Sequence, residues 1–139
     1  MRGNACRRVT LEFMKARPVW LSILLVVLTI AAGITLRMAP LGLPGPVVKY
    51  GGSTMWALMI YWLVTTLLPA VRISTAAMAA GVLAMAVEFF KLYRSPGVDA
   101  FRTTLAGTLL LGRYFSFKDI VAYWIAIAAG ALADAHMRG

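Results

Sequence analysis

The chain has 139 residues, of which 61% are hydrophobic, and its mean hydropathy is +0.81. An ordinary soluble domain is about 45–50% apolar, and a globule this small has too little interior to hide the excess from water. Fourteen Lys and Arg residues against five Asp and Glu give a net charge of +9. The basic residues lie at the ends of apolar runs, where they contact anionic lipid headgroups, so the composition excludes a soluble enzyme and argues against nucleic-acid binding.

The pattern of apolar runs predicts an all-α integral membrane fold. We expect a single membrane domain, residues 1–139, made of about four transmembrane helices and one short re-entrant or interfacial helix. The bilayer and its anionic headgroups are therefore the predicted partners.

Catalytic and metal-binding motifs are missing from the sequence. Cys6 is the only cysteine and His136 the only histidine, so no disulfide and no Cys- or His-rich metal site is expected. Acylation of Cys6 is a minor alternative. There is also no nucleophile elbow and no phosphate-binding glycine loop. We predict no enzyme activity, no catalytic residue, no cofactor and no metal.

The first predicted span covers about residues 19–36, after a basic tail at residues 1–17. About 18 apolar residues cover most of the hydrocarbon core of a bilayer. A cleaved signal peptide is the alternative, with Ala31-Ala32-Gly33 as the small-residue site. Because three more apolar runs follow, a retained helix is favoured.

A second span is predicted at about residues 53–71. The preceding segment, residues 37–52, is rich in Pro and Gly, and we expect a loop there because these residues break helices. Pro69 is expected to stop the second helix.

The third predicted span, at about residues 73–93, carries small residues at every fourth position. Ala76, Ala80 and Ala84 lie on one helical face, and such faces pack closely in membranes. The next position on that face is Glu88, so its carboxylate should point into the bundle.

The remaining apolar runs are a short segment at about residues 101–112 and a last span at about residues 120–135. The short segment cannot cross a bilayer and is predicted to be re-entrant or interfacial. Ala122, Ala126 and Gly130 give the last span a second small-residue face.

Orientation in the membrane follows from the Lys and Arg residues near the span ends. With four spans these residues divide evenly between the two sides, and only the dense N-terminal cluster breaks the tie. We therefore predict a multi-pass protein of the bacterial inner membrane with a cytoplasmic N-terminus. If residues 101–112 cross the bilayer, the C-terminus changes sides.

Charged residues at membrane depth are costly, and they usually face a cavity, a partner or a pathway. Glu88 and Lys91 are three residues apart and can pair on one helical face, as can Asp99 and Arg102. Asp119, at the entrance of the last span, suits either an N-cap or a functional site.

Several segments, in this order and spacing, resemble the family of small bacterial membrane proteins known as domain of unknown function 2809. They are Lys49–Ala57, Glu88–Tyr93, Asp99–Arg102, Leu110–Gly112 and Phe115–Tyr123. The resemblance covers roughly residues 20–133, and the family is distantly similar to VanZ-like proteins. It marks as important Gly52, Trp56, Glu88, Tyr93, Asp99, Arg102, Gly112, Asp119 and Tyr123.

This chain departs from the family pattern at two positions. Ser53 stands where the family usually has Asp, and Lys91 where it usually has Gln. Both changes make the region more positive, which favours a more anionic ligand.

The leading hypothesis is a protein that binds or moves an anionic or amphiphilic small molecule through a pocket of Glu88, Lys91, Arg102 and Asp119. The alternative is a non-catalytic accessory or scaffold protein whose Ala/Gly faces pack against partner helices. An oligomer is also possible. A lipid-modifying enzyme ranks third. The candidate ligand-binding residues are Glu88, Lys91, Tyr93, Asp99, Arg102, Asp119, Trp56 and Tyr123; Trp56, Tyr93 and Tyr123 could equally be interfacial anchors or packing residues.

Overall fold

A computed structural model describes residues 17–110 and 115–138, without the side chains of residues 109 and 110. Within these ranges all regular secondary structure is helical, and no strand occurs. The helices are α1 (Val19–Met38), α2 (Gly45–Leu67), α3 (Ile73–Phe90), α4 (Pro96–Thr103), α5 (Leu105–Leu110) and α6 (Phe117–Arg138).

Helix α2 lies at the centre of the four long helices, antiparallel to α1 and α3 and parallel to α6. Helix α2 packs against α1, α3 and α6, and α3 also packs against α6, whereas α4 and α5 pack against each other. The C-terminal ends of α1 and α3 meet the N-terminal ends of α2 and α6 at what we call the Glu88 end. The other end, where Arg17 meets Asp134, is called the Asp134 end.

Small residues form the contact surface of α3. Ala76, Ala80 and Ala84 are fully buried, and Glu88 follows them at 0% exposure. The prediction that this face points into the bundle is confirmed. On α6, Ala126 and Gly130 are buried in the same way, so both small-residue faces lie against helices of this chain.

The indole of Trp124 packs against Gly81 between α3 and α6. A Cβ atom at position 81 would overlap the Trp124 ring, so the absence of a side chain makes room for it. We expect Gly81→Ala to destabilise the protein by about 1–3 kcal/mol, the usual cost of overpacking. Thermal unfolding of the purified protein measures it. Gly97→Ala is the matched control, since nothing lies within 4 Å of its Cβ position. Equal melting temperatures for the two variants would contradict this packing.

Helix α2 begins at Gly45, so the prediction of a loop through Gly52 was wrong. Pro46 lies in the first turn, where a missing N–H costs nothing. Gly51 and Gly52 lie within the helix, and α1 packs against both of them. The Nε atom of Arg37 would be 2.9 Å from a Cβ atom at Gly52, so glycine lets the Arg37 side chain lie directly against the backbone of α2.

The predicted short helix at residues 101–112 is instead two helices, α4 and α5, as far as the described residues extend. Thr104 separates them: its hydroxyl donates to Phe101 O (2.6 Å) and accepts from Gly107 N (3.0 Å). A side chain on Gly107 would overlap the backbone of Phe101, so the turn requires glycine.

Among the described residues, three helices, α1, α3 and α6, are long and apolar enough to cross a membrane by length and composition. Their outward faces carry large apolar side chains, such as Trp20 at 67% exposure and Leu132 at 73%. Exposed apolar area of this extent is unfavourable in water and is expected against lipid. The chain is therefore a membrane-type helical protein.

Candidate functional site

Glu88 is the centre of the buried polar cluster at the Glu88 end. Its Oε2 atom accepts from Lys91 Nζ (2.6 Å) and from the Tyr123 hydroxyl (2.7 Å), and Oε1 accepts from the backbone N–H of Ser116 (2.7 Å). The predicted Glu88–Lys91 pair is thus present. With three donors and no exposed surface, this carboxylate links α3 to α6 and offers no open face to a ligand.

Asp119 lies inside the first turn of α6, which begins at Phe117, so the N-cap alternative was wrong. The residue is 3% exposed, and its Oδ1 atom lies 3.2 Å from the Ser53 hydroxyl of α2. A carboxylate in the first turn of a helix still favours the positive end of the helix dipole. Ser53, noted in the sequence only as a departure, is therefore part of the cluster.

Arg37, in the last turn of α1, was missed by the sequence reasoning because a cation ending an apolar run looks like an interfacial residue. Its NH1 atom donates to the carbonyl of Thr108 (3.1 Å), and Nε lies against Gly52. Within the described ranges no carboxylate lies within ion-pair distance of it.

A cleft of about 220 Å³ opens between α1 and α2 beside Arg37. Most of its wall is apolar. The buried Nε1 of Trp56 finds no hydrogen-bond partner among the described residues. A cation at the end of an apolar wall suits an amphiphile with an anionic head. The lining residues are Thr29, Ile30, Gly33, Ile34, Arg37, Gly52, Met55, Trp56, Met59 and Ala106.

The cleft adjoins the Glu88 cluster through aromatic packing. The ring centroids of Trp56 and Tyr123 are 5.5 Å apart, and the Tyr123 hydroxyl binds Glu88. The structure therefore brings Trp56, Tyr123, Glu88, Lys91 and Asp119 together, as five of the eight candidate residues.

The other three candidates lie beside this group. Arg102 is 3% exposed; its NH1 atom lies 3.3 Å from Asp99 Oδ1, which is the predicted pair, and NH2 donates to Phe90 O (2.9 Å). Arg102 thus ties α4 to the end of α3. Tyr93 is 54% exposed and stacks on Phe90, outside the cluster.

A second buried ionic cluster, also missed, lies at the Asp134 end. Asp134 is fully buried and accepts from the Tyr61 hydroxyl (2.7 Å) and from Arg138 Nε (2.9 Å). Arg17 NH1 lies 3.2 Å from Asp134 Oδ1, and Arg17 NH2 donates to Thr65 Oγ1 (2.6 Å). Burial lowers the pKa of Arg17, Asp134 opposes that effect, and a guanidinium stays charged in proteins.

A sequence signal for Asp134 did exist. It follows Ala126 and Gly130 at the same four-residue spacing that places Glu88 after Ala84. Both small-residue faces therefore end in a buried carboxylate.

Comparison with known proteins agrees with the resemblance seen in the sequence. No solved structure matches the chain. Residues 43–127 match the family described as protein of unknown function (DUF2809). The matched interval is more than half of the chain, and it includes Trp56, Glu88, Asp119 and Tyr123. The chain belongs to this family.

Proposed function

We propose that this chain is a multi-pass protein of the bacterial inner membrane that binds an amphiphilic molecule in the cleft between α1 and α2. The anionic head of the molecule contacts Arg37, and its apolar part lies along the cleft toward Thr29. The distant VanZ-like resemblance is compatible with a binding role of this kind and names no ligand.

In this proposal α2 is the fourth membrane-crossing helix. Its 23 residues span about 34 Å, more than the hydrocarbon core requires. Packing by α1, α3 and α6 allows it to carry more polar residues than a lipid-facing helix. An even number of spans places both ends of the chain on one side, proposed to be cytoplasmic, and α4 and α5 form a re-entrant or interfacial hairpin at the Glu88 end.

The observation that carries the proposal is the position and the hydrogen bonding of Arg37. A guanidinium at the end of an apolar cleft, with only a backbone carbonyl as acceptor among the described residues, has donors to spare. Arginine is well suited to bind carboxylate, sulfonate or phosphate oxygens, because two of its N–H groups can donate side by side.

The Glu88 cluster has a supporting role in this proposal. Its buried carboxylate accepts from three donors, one of which is Tyr123, and so fixes this tyrosine, which packs on Trp56 in the cleft wall. The scaffold alternative lacks the surfaces on which it depended, because Ala80, Ala84 and Ala126 are buried inside the bundle.

Binding of 1-decanesulfonate to the protein in nanodiscs of zwitterionic lipid, followed by titration calorimetry, tests the proposal. Charge-assisted hydrogen bonds contribute about 1.5–3 kcal/mol, so Arg37→Gln should weaken binding by roughly 10- to 100-fold. Arg94→Gln is the matched control, because Arg94 lies at the same end but is exposed. It should leave the affinity nearly unchanged.

Decanol, which has the same chain and no charge, should bind much more weakly than the sulfonate. The proposal is wrong if decanol binds as tightly as decanesulfonate, or if Arg37→Gln and Arg94→Gln have the same affinity.

A further inference from the structure

The cleft between α1 and α2 covers about one half of the thickness of a bilayer. Helix α1 has 20 residues, and Thr29 lies at its middle while Arg37 lies in its last turn. These two cleft-lining positions are about 12 Å apart along the helix axis. Half of a hydrocarbon core is about 15 Å. The cleft therefore reaches from the membrane interface at the Glu88 end almost to the middle of the bilayer, as the acyl chain of a lipid in that leaflet does.

The side of the cleft that α1 forms faces lipid. Ile30 and Ile34 line the cleft and are also 39% and 43% exposed on the outside of the described bundle. Among the described helices, α1 packs mainly against α2, and its buried residues are Ser22 and Thr29. The two exposed isoleucines place the opening of the cleft in the hydrocarbon of the bilayer, so a molecule can enter it from the membrane without passing through water.

Gly33 lines the cleft between its two ends. It lies on the same face of α1 as Thr29 and Arg37, because the three residues are four positions apart. A Cβ atom at Gly33 would be 3.4 Å from the Cβ atom of Met55, which is an ordinary contact distance. A longer side chain at this position would take up part of the volume of the cleft.

The exposed charge at the Glu88 end is mainly basic. Of the described carboxylates at this end, Glu88 and Asp119 are buried, and Asp99 is paired with two arginines. Exposed basic side chains at a membrane surface attract anionic lipids into the adjoining leaflet. The exposed basic residues described here are Lys49, Arg94 and Lys118.

We propose that the occupant of the cleft is an anionic phospholipid from the leaflet at the Glu88 end, with its phosphate at Arg37 and one acyl chain between α1 and α2. This proposal rests on the proposed function and adds the source of the ligand, which is the bilayer itself. A guanidinium can donate two parallel hydrogen bonds to phosphate oxygens. The second acyl chain stays in the surrounding lipid, because the cleft is open on that side. A zwitterionic lipid carries the same phosphate, but the basic residues nearby repel its ammonium group.

Native mass spectrometry tests the proposal on protein released from bilayers with equal amounts of phosphatidylglycerol and phosphatidylcholine of the same acyl chains. The wild type should retain one phosphatidylglycerol molecule and little phosphatidylcholine. Arg37→Gln should reduce this retention by roughly tenfold or more, and Arg94→Gln should not.

Gly33→Leu fills the cleft without changing any charge, so it should also lose most of the bound phosphatidylglycerol. Ala31→Leu is the matched control, because Ala31 lies on α1, is exposed and does not line the cleft. It should retain the lipid as the wild type does. Thermal unfolding of both variants shows whether each is folded, and if Gly33→Leu is not, the comparison of Arg37→Gln with Arg94→Gln decides.

Equal retention of the two lipids by the wild type would overturn the proposal, as would equal phosphatidylglycerol retention by Gly33→Leu and Ala31→Leu. Decanesulfonate added from water separates this proposal from the proposed function. If its binding depends on Arg37 while phosphatidylglycerol is not retained, the ligand comes from water and only the lipid proposal is wrong. If neither molecule depends on Arg37, the proposed function is wrong as well.

Discussion

Replacing Glu88 by alanine is expected to destabilise the folded bundle by about 3–5 kcal/mol, the usual cost of breaking a buried ion pair from one side. The variant leaves the Lys91 ammonium, the Tyr123 hydroxyl and the Ser116 N–H without their acceptor in a buried position. The midpoint temperature of thermal unfolding in nanodiscs should fall, and so should the amount of protein in the membrane fraction.

Asp99→Asn is the control for Glu88→Ala. Asp99 is paired but 43% exposed, and asparagine keeps an oxygen that can accept from Arg102. Its effect should stay below about 1 kcal/mol, as for exposed pairs generally. A Glu88→Ala protein that unfolds at the wild-type temperature would show that the cluster does not hold α3 and α6 together.

Replacing Asp134 by alanine is expected to have an effect of similar size, about 3–5 kcal/mol, for the same reason. The variant leaves the buried Arg17 and the nearly buried Arg138 without the carboxylate that they pair with. It also removes the acceptor of the Tyr61 hydroxyl. Chemical or thermal unfolding of the purified variant measures the loss.

Tyr61→Phe removes only the hydroxyl donor, so its cost should be smaller, about 1.5–3 kcal/mol for a hydrogen bond to a charged group. If Asp134→Ala is no more damaging than Tyr61→Phe, the two arginines contribute nothing, and the description of the Asp134 end as an ionic cluster is incorrect.

Features carried by one helix could be predicted from the sequence. The position of Glu88 follows from the four-residue spacing of Ala76, Ala80 and Ala84, because that spacing returns to the same helical face. The Glu88–Lys91 and Asp99–Arg102 pairs also follow from local spacing.

Features that depend on which helices are neighbours could not be predicted in the same way. The bond from Arg37 to Thr108 joins residues 71 positions apart, and Arg17 meets Asp134 from opposite ends of the chain. No spacing in the sequence encodes such contacts. The early start of α2 was missed because Gly51 and Gly52 were interpreted as helix breakers rather than as contact points for α1.

Photolabelling with a decanesulfonate that carries a diazirine at the far end of its chain tests the central claim most directly. Arg37 and Thr29 are about 12 Å apart along α1, so a head bound at Arg37 places the chain end near Thr29 and Met59 in the cleft. Mass spectrometry should find the label within residues 26–34 and 55–62, and Arg37→Gln should lose most of it. Label concentrated on α3 or α6, or equal label in Arg37→Gln, would contradict the account.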